Sequence, residues 1–317
     1  MGDRVTAQAP GRVNLIGDHT DYTGGLVFPM AIDRWTTVTG VRTVEDVRLR
    51  SRQPADASAY VDAVVAELGA GRGFDGWIDS TVPIGAGLSS SAALEVAVAL
   101  ALGFTGPPLE LARLCQRAEH RATGVPTGIM DQLTAAAGVE GHALLVDCTT
   151  VEITPVPLPD GVEIVVVDSG QRRALVESAY AERAAQCAAA EAVVGPLRGA
   201  TKSDVARIAD DVVRRRAGHV VTENARVATF AAALDAGDIA EAGRLMAASH
   251  ASLRDDFEVS TPVVDALVAR LAAVPGVLGA RLTGGGFGGA VVVLTRPGAL
   301  KEGWLVRPVG AAEVVVA

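Results

Sequence analysis

Apolar, β-branched and aromatic residues gather over Val5–Ala9, Leu26–Ala31, Trp35–Val41 and Gly76–Val82, each run bounded by Gly or Pro. This is the signature of strands. Over Ser58–Leu68, Ser90–Leu102 and Leu109–Ala122 the apolar positions instead recur at three and four residues, which predicts helices. Two Gly-bearing loops, Pro10–Gly25 and Pro83–Ser89, lie between these elements. A strand at His142–Asp147 runs into the polar, Pro-rich stretch Cys148–Gly161, and the pattern predicts a domain boundary there, dividing the chain into 1–155 and 156–317. The second half reads as strand Val162–Asp168, a long helix Val176–Val193, and helices Thr222–Ala233, Ile239–Ala251 and Thr261–Ala273. Strands Val277–Leu282 and Ala290–Leu294 then flank the loop Thr283–Gly289. No internal repeat is visible.

Composition narrows the classes of function. The 317 residues are 49% apolar and 21% charged, which describes a globular chain with a large core. The net charge of −9 argues against nucleic acid or anionic membrane as the main partner, since both select basic surfaces. The run Arg214-Arg215-Arg216 reads as a solvated helix face. No apolar run reaches the ~18 residues of a membrane span, and no signal peptide is visible. Cys115, Cys148 and Cys187 are odd in number and lack metal-site spacing, which argues against a disulfide framework or zinc site. A cytoplasmic monomer is expected.

Two segments carry candidate chemistry. Pro83-Ile-Gly-Ala-Gly-Leu-Ser-Ser-Ser-Ala-Ala93 follows a strand and opens a helix. Gly85 and Gly87 permit a sharp turn and close approach of backbone to a ligand, and Ser89 or Ser90 can cap the helix. The unpaired first-turn amides and the helix dipole then form an anion site. The loop is not a Walker A sequence, because no Lys follows a Gly anywhere in the chain. Gly284-Gly-Gly-Phe-Gly-Gly289 matches GxGxxG formally, but a strand follows instead of the helix a dinucleotide site needs. It reads as a Gly-rich hairpin.

The other segment, Gly11–Gly25, places Arg12, Asn14, Asp18, His19, Asp21 and Tyr22 within fifteen residues. Such stretches are commonly solvated turns, but Val13, Leu15 and Ile16 pin this one to a core. Its carboxylates and imidazole suit a ligand bearing several hydroxyls. A second polar set is Glu119, His120 and Asp131, the last among apolar neighbours on an expected helix. A buried acid there needs a partner or a function, and Arg12 is the candidate partner.

Together these segments resemble the GHMP kinase superfamily and, within it, the galactokinases. The resemblance rests on PGRVNLIGDHTDY, PIGAGLSSSAALE, GIMDQ and LTGGGFGGA in that order, and extends from about Gly11 to Ala290. It implies an α+β fold of two domains, an S5-like N-terminal domain and a ferredoxin-like C-terminal one, with the active site between them. It implies an enzyme that uses ATP and Mg²⁺ to phosphorylate galactose at its C1 hydroxyl. By position, Asp131 is then the general base and Arg12 its neighbour, stabilising charge on the transferring group. Asp18, His19, Asp21, Gly128 and Tyr180 contact the sugar. Gly85, Ala86, Gly87, Leu88, Ser89, Ser90 and Ser91 bind ATP, while Ser91 and Glu119 hold Mg²⁺.

Three departures from the family pattern stand out. Asp18 replaces the usual Glu, Asp168–Leu175 lacks the usual Asn-Val-Lys-His, and Ala57 stands where a Trp near the adenine is common. The first two bear on the identity of the sugar and leave open a uronic acid, a pentose or an N-acetylhexosamine. Arg172 or Arg173 would be the pairing group for a uronate. A non-catalytic sugar sensor is a further alternative, which the intact phosphate loop and Asp131 oppose.

Overall fold

The computed structural model describes residues 3–53, 56–69, 71–171 and 176–317. Arg172 and Arg173 lie outside these, so their expected role has no structural counterpart here. The chain runs β1 (Arg4–Asn14), β2 (Leu26–Val27), β3 (Pro29–Thr43), β4 (Val47–Ser51), α1 (Ser58–Leu68), β5 (Gly73–Ser80), α2 (Ser90–Ala101), α3 (Pro108–Thr123) and α4 (Met130–Ala137). It continues with β6 (His142–Asp147), β7 (Glu152–Pro157), β8 (Glu163–Asp168), α5 (Val176–Val194), α6 (Lys202–Val205), α7 (Asp211–Asp235), α8 (Ile239–Asp255) and α9 (Pro262–Ala272). The last elements are β9 (Val277–Thr283), β10 (Ala290–Thr295), β11 (Trp304–Val306) and β12 (Glu313–Val316).

Three sheets result, ordered β12-β1-β3-β5-β4, β11-β8-β10-β9 and β2-β6-β7. Helices α1 to α4 cover one face of the first sheet through Val5, Val38, Phe74, Val64, Val98 and Leu133. Helix α2 is apolar on nearly every side because it lies inside this layer. The second sheet is buried on both faces. Val166, Val292 and Leu294 point into a core shared with Val13, Ile16, Phe28 and Phe230, whereas Val165, Val167, Val291 and Val293 point into a core with Leu253, Phe257 and Leu271. Burial on both faces is why β8 and β10 read as unbroken apolar runs. The middle core takes side chains from both halves of the chain, so the halves share one packed interior.

Several expected elements differ in the structure. The two strands expected at Leu26–Ala31 and Trp35–Val41 are, but for the short β2, one long strand, β3, which pairs with β1 on either side of a register shift at Gly11. The Pro-rich stretch around residue 155 contains β7, which stays hydrogen-bonded to β6. Helix α7 starts eleven residues before the expected Thr222, with Asp210 accepting from the Val212 and Val213 amides as its N-cap. Arg216 is 2% exposed rather than solvated, and binds Gln186, the Asp256 carbonyl and Glu258. The unexpected β12 returns the chain to the first sheet beside β1.

The end of β1 and the loop after it are clamped by the second half of the chain. Asn14 N–H donates to Thr283 Oγ1 at 3.2 Å, and the same hydroxyl donates to the Asn14 carbonyl at 2.9 Å. Glu223 and Asn224 of α7 accept from the Gly17 and Leu26 amides at 3.0 and 2.7 Å. Asp18 pairs with Arg281 of β9, and its Oδ1 accepts from the Gly284 amide at 2.8 Å. Both charged side chains are shut away from water, so removing one leaves the other uncompensated. Arg281→Leu should therefore lower unfolding free energy by about 3–5 kcal/mol. In chemical denaturation the Asp18→Asn/Arg281→Leu pair should lose less than the sum of its singles; additive losses would mean that the two do not act as a pair.

Candidate active site

A cavity of about 490 Å³ opens where β1, the Pro83–Ser89 loop, the starts of α2 and α4, and the β9–β10 hairpin meet. It is lined by Arg12, Asp18, His19, Asp21, Gly85, Gly87, Leu88, Ser89, Ser90, Ser91, Glu119, Gly128, Asp131 and Tyr180. Ala86 is the exception among the expected site residues. Its methyl group is packed in the middle core, so it can contribute only backbone. His120 also departs from expectation: its Nε2 meets the Thr127 carbonyl at 2.8 Å, which makes it a support for the loop before α4.

Arg12 and Asp131 form the centre of the wall. Arg12 Nε donates to Asp131 Oδ1 and Nη2 to Oδ2, each at 2.7 Å, in a two-pronged pair. Arg12 Nη1 also donates to the Gly87 carbonyl at 2.5 Å, and its backbone N–H to the Leu88 carbonyl at 3.1 Å. This close approach needs Gly11, which sits where the β1–β3 register shifts. A Cβ there would come within 2.7 Å of the Leu88 carbonyl oxygen.

Ser89 occupies the N-cap position of α2, but its side chain does not cap the helix. With φ +57° the residue is left-handed, and its hydroxyl donates to Asp131 Oδ2. That corrects the expected capping role and links the phosphate-type loop directly to the acid. Ser91 Oγ, in the first turn of α2, donates to Glu119 Oε1 at 2.9 Å. Glu119 Oε2 accepts from Thr127 at 3.0 Å and from Gln132 at 2.7 Å. Gln132 also donates to Glu95 Oε2 at 3.1 Å. Burial first, and the Glu119 charge second, raise the Glu95 pKa well above its ordinary value.

On the opposite wall His19 is held left-handed at φ +65°. Its Nδ1 lies 3.0 Å from the Tyr22 hydroxyl, and its ring packs 5.3 Å from Tyr180 and 4.7 Å from Phe257. Gly128 lies against Asp21, where an added Cβ would fall 2.0 Å from Oδ2 and only glycine fits. The cavity is also lined by Ser51, Gln53, Ala57, Tyr60, Ile78 and Ile84. Ala57 leaves room there that a larger ring would fill.

The supporting residues Arg281, Glu223, Asn224, Gln132 and Thr127 escaped sequence reasoning as site residues. A signal existed for one of them, since Arg281 is a lone cation in the apolar run Val277–Leu282 and a charge so placed needs a buried partner.

Burial, and then the neighbouring Asp131 charge, raise the Asp21 pKa from 3.8 to about 7. The unfolded chain releases this proton at lower pH, so the folded state loses stability as pH climbs from about 4 to about 7. Asp21→Asn removes that penalty. Its melting temperature should exceed that of the parent at pH 8 and the gain should shrink toward pH 4; a gain independent of pH would mean that Asp21 does not titrate in this window.

Comparison with known proteins agrees with this geometry. The galactokinase galactose-binding signature matches residues 2–42, the GHMP kinases N terminal domain residues 57–139, and the GHMP kinases C terminal domain residues 230–304. A galactokinase of Chloroflexus aurantiacus is 45% identical over 91% of this chain and 83% of its own. The human galactokinase is 42% identical over 92% and 83%. The crystal structure of Lactococcus lactis galactokinase complexed with galactose superposes with a TM-score of 0.90 at 32% identity, covering 98% of this chain and 95% of that one. A mevalonate kinase at 20% identity and TM-score 0.67 shares the fold. With these identities over nearly its whole length, the chain belongs to the galactokinase family of the GHMP kinases.

Proposed function

We propose that this protein transfers the γ-phosphoryl group of ATP to the C1 hydroxyl of galactose. The observation that carries the reading is the two-pronged Arg12–Asp131 pair, which joins the sugar-type loop to the phosphate-type loop within one cavity. Phosphoryl transfer asks a protein mainly for positioning and charge stabilisation. Asp18, His19, Asp21, Gly128 and Tyr180 surround the space where a sugar would sit. The start of α2 offers backbone amides and the positive end of a dipole to ATP phosphates. Because the Ser89 hydroxyl is engaged with Asp131, it does not compete for them.

Asp131 is the base in this scheme. Its Oδ2 accepts from both Arg12 and Ser89, whereas among the described residues Oδ1 accepts from Arg12 alone. Oδ1 therefore keeps lone-pair capacity for the C1 proton. As the carboxylate takes that proton its hold on Arg12 weakens. The guanidinium, already bonded to the phosphate loop at Gly87, is then available to charge developing on the phosphoryl group.

Ser91 and Glu119 present a hydroxyl and a carboxylate oxygen 2.9 Å apart on the cavity wall, a hard-oxygen pair that suits Mg²⁺. Bound with ATP, the ion would neutralise phosphate charge. Reliance on ATP supports the cytoplasm, and a monomer remains the expected state. Among the described residues no helix is long and apolar enough to cross a membrane.

An ADP-release assay over a panel of sugars, with the phosphorylated carbon assigned by NMR, tests the reading. Galactose 1-phosphate is the expected product, and no turnover with galactose would overturn it. Asp131→Ala should cut turnover by about a hundred- to ten-thousand-fold with ATP affinity largely kept; near-parental turnover would remove Asp131 from the mechanism. Ser91→Ala and Glu119→Ala should each raise the Mg²⁺ requirement, and together by less than the combined singles. Independent, additive effects would show that they do not share an ion.

A further inference from the structure

We infer that Gln132 is a positioning residue for the divalent cation, acting through Glu119, so that helix α4 sets the base and the metal ligand from adjacent positions. The inference rests on the reading that Glu119 holds Mg²⁺. Gln132 is fully buried and does not line the cavity, so it touches neither sugar nor nucleotide. Its Nε2 donates at once to Glu119 Oε2 at 2.7 Å and to Glu95 Oε2 at 3.1 Å. The Glu119 carboxylate settles its orientation, because the reversed amide would set its own oxygen against that group. Gln132 Oε1 has no hydrogen-bond partner among the described residues. The side chain is thus placed to serve the two acids.

Glu119 lies at the middle of a divided arrangement. Its Oε2 is taken by the buried Gln132 and by Thr127 at 3.0 Å. Its Oε1 is left for Ser91 at 2.9 Å, on the cavity side. Two donors on one oxygen stop rotation of the carboxylate and hold the other oxygen at the site where a cation would bind with Ser91. A carboxylate free to rotate would lose entropy on binding the ion, and this one has little left to lose. Glu95 holds Gln132 from the far side. It is 0% exposed, and Gln132 is its hydrogen-bonding partner through Oε2.

The neighbouring residue on α4 is Asp131. Successive residues on a helix point about 100° apart, so one short helix presents Asp131 to the cavity and Gln132 to α2 and α3. A displacement of α4 would move the base and release the cation ligand together. The spacing between Asp131 and the Glu119 carboxylate is therefore set by one short helix.

The test measures cation affinity directly. Mn²⁺, as a paramagnetic stand-in for Mg²⁺, is titrated by electron paramagnetic resonance into the protein saturated with a non-hydrolysable ATP analogue. Galactose affinity and melting temperature are recorded in parallel. Gln132→Met removes the donor at similar volume and should weaken Mn²⁺ binding about ten- to a hundredfold, as loss of an outer partner does at metal sites, while galactose affinity stays within about twofold. Thr127→Val, at a half-buried position, removes the other donor and should cost about fivefold, one ordinary hydrogen bond; it serves if Gln132→Met fails to fold. Glu95→Gln keeps an acceptor for Gln132 and should bind Mn²⁺ nearly as the parent does, whereas Glu95→Leu should not. In a Glu119→Gln background the effect of Gln132→Met should fall away. Unchanged Mn²⁺ affinity in both donor variants, or a Gln132→Met effect that persists in that background, overturns the inference. If Glu119→Gln alone leaves Mn²⁺ binding intact, the assignment of Glu119 to the metal fails as well, and the two failures are thereby told apart.

Discussion

The ion pair between Arg12 and Asp131 is the contact on which the site's arrangement depends. It ties the end of β1 to the first turn of α4, and through the Gly87 carbonyl it ties both to the phosphate loop. Arg12 is buried but Asp131 is only partly so, and such a pair adds little net stability. Its effect is on placement: three segments far apart in sequence are brought to one wall, with a charged acid facing the cavity. The charge also acts on its surroundings. Asp21, close by and burdened by burial, holds its proton up to about pH 7. Asp21, which lacks such a guanidinium partner, is pushed toward neutrality.

Rigidity around that pair comes from the middle core and the clamp beyond it. The sheet containing β8, β9 and β10 is packed on both faces, so the β9–β10 hairpin leaves a fixed platform. From it Arg281, Thr283 and the Gly284 amide seize Asn14 and Asp18, while α7 holds Gly17 and Leu26. The loop that carries His19 in a left-handed conformation is therefore held from outside, as a strained residue must be. Preorganisation of this kind lowers the ordering cost when a ligand arrives.

How much of this was legible in the sequence depended on whether the information was contiguous. Helix α1 and strand β6 lie where the apolar period placed them, because each buries a simple face. The site motifs were legible too, since Arg12 through Tyr22 and Gly85 through Ser91 each lie in a single stretch. Elements whose pairing is decided elsewhere were not. Strand β12 has four exposed residues and exists because β1 offers a free edge. Strand β3 continues through the polar Asp33 and Arg34 because the Asp33 amide finds the Arg307 carbonyl at 3.2 Å. The supporting residues are single positions whose partners lie far away, as Arg281 and Asp18 do, and no local pattern announces them.

Ser89 shows most directly how local preference gave way to the site. A serine before a helix ordinarily turns its hydroxyl to the first-turn amides and stabilises the helix by about 1 kcal/mol. Here that bond is absent, the backbone is left-handed, and the hydroxyl goes to Asp131. A left-handed non-glycine residue costs on the order of 1–3 kcal/mol, so the local conformation is unfavourable on both counts. The helix survives because α2 is surrounded by core on nearly every side and needs no cap to persist. Its first-turn amides are thereby left unspent at the cavity, beside a loop whose glycines admit close approach. A capped α2 would be a better helix and a poorer anion site, since the amides that hold a phosphate are the ones a cap would occupy.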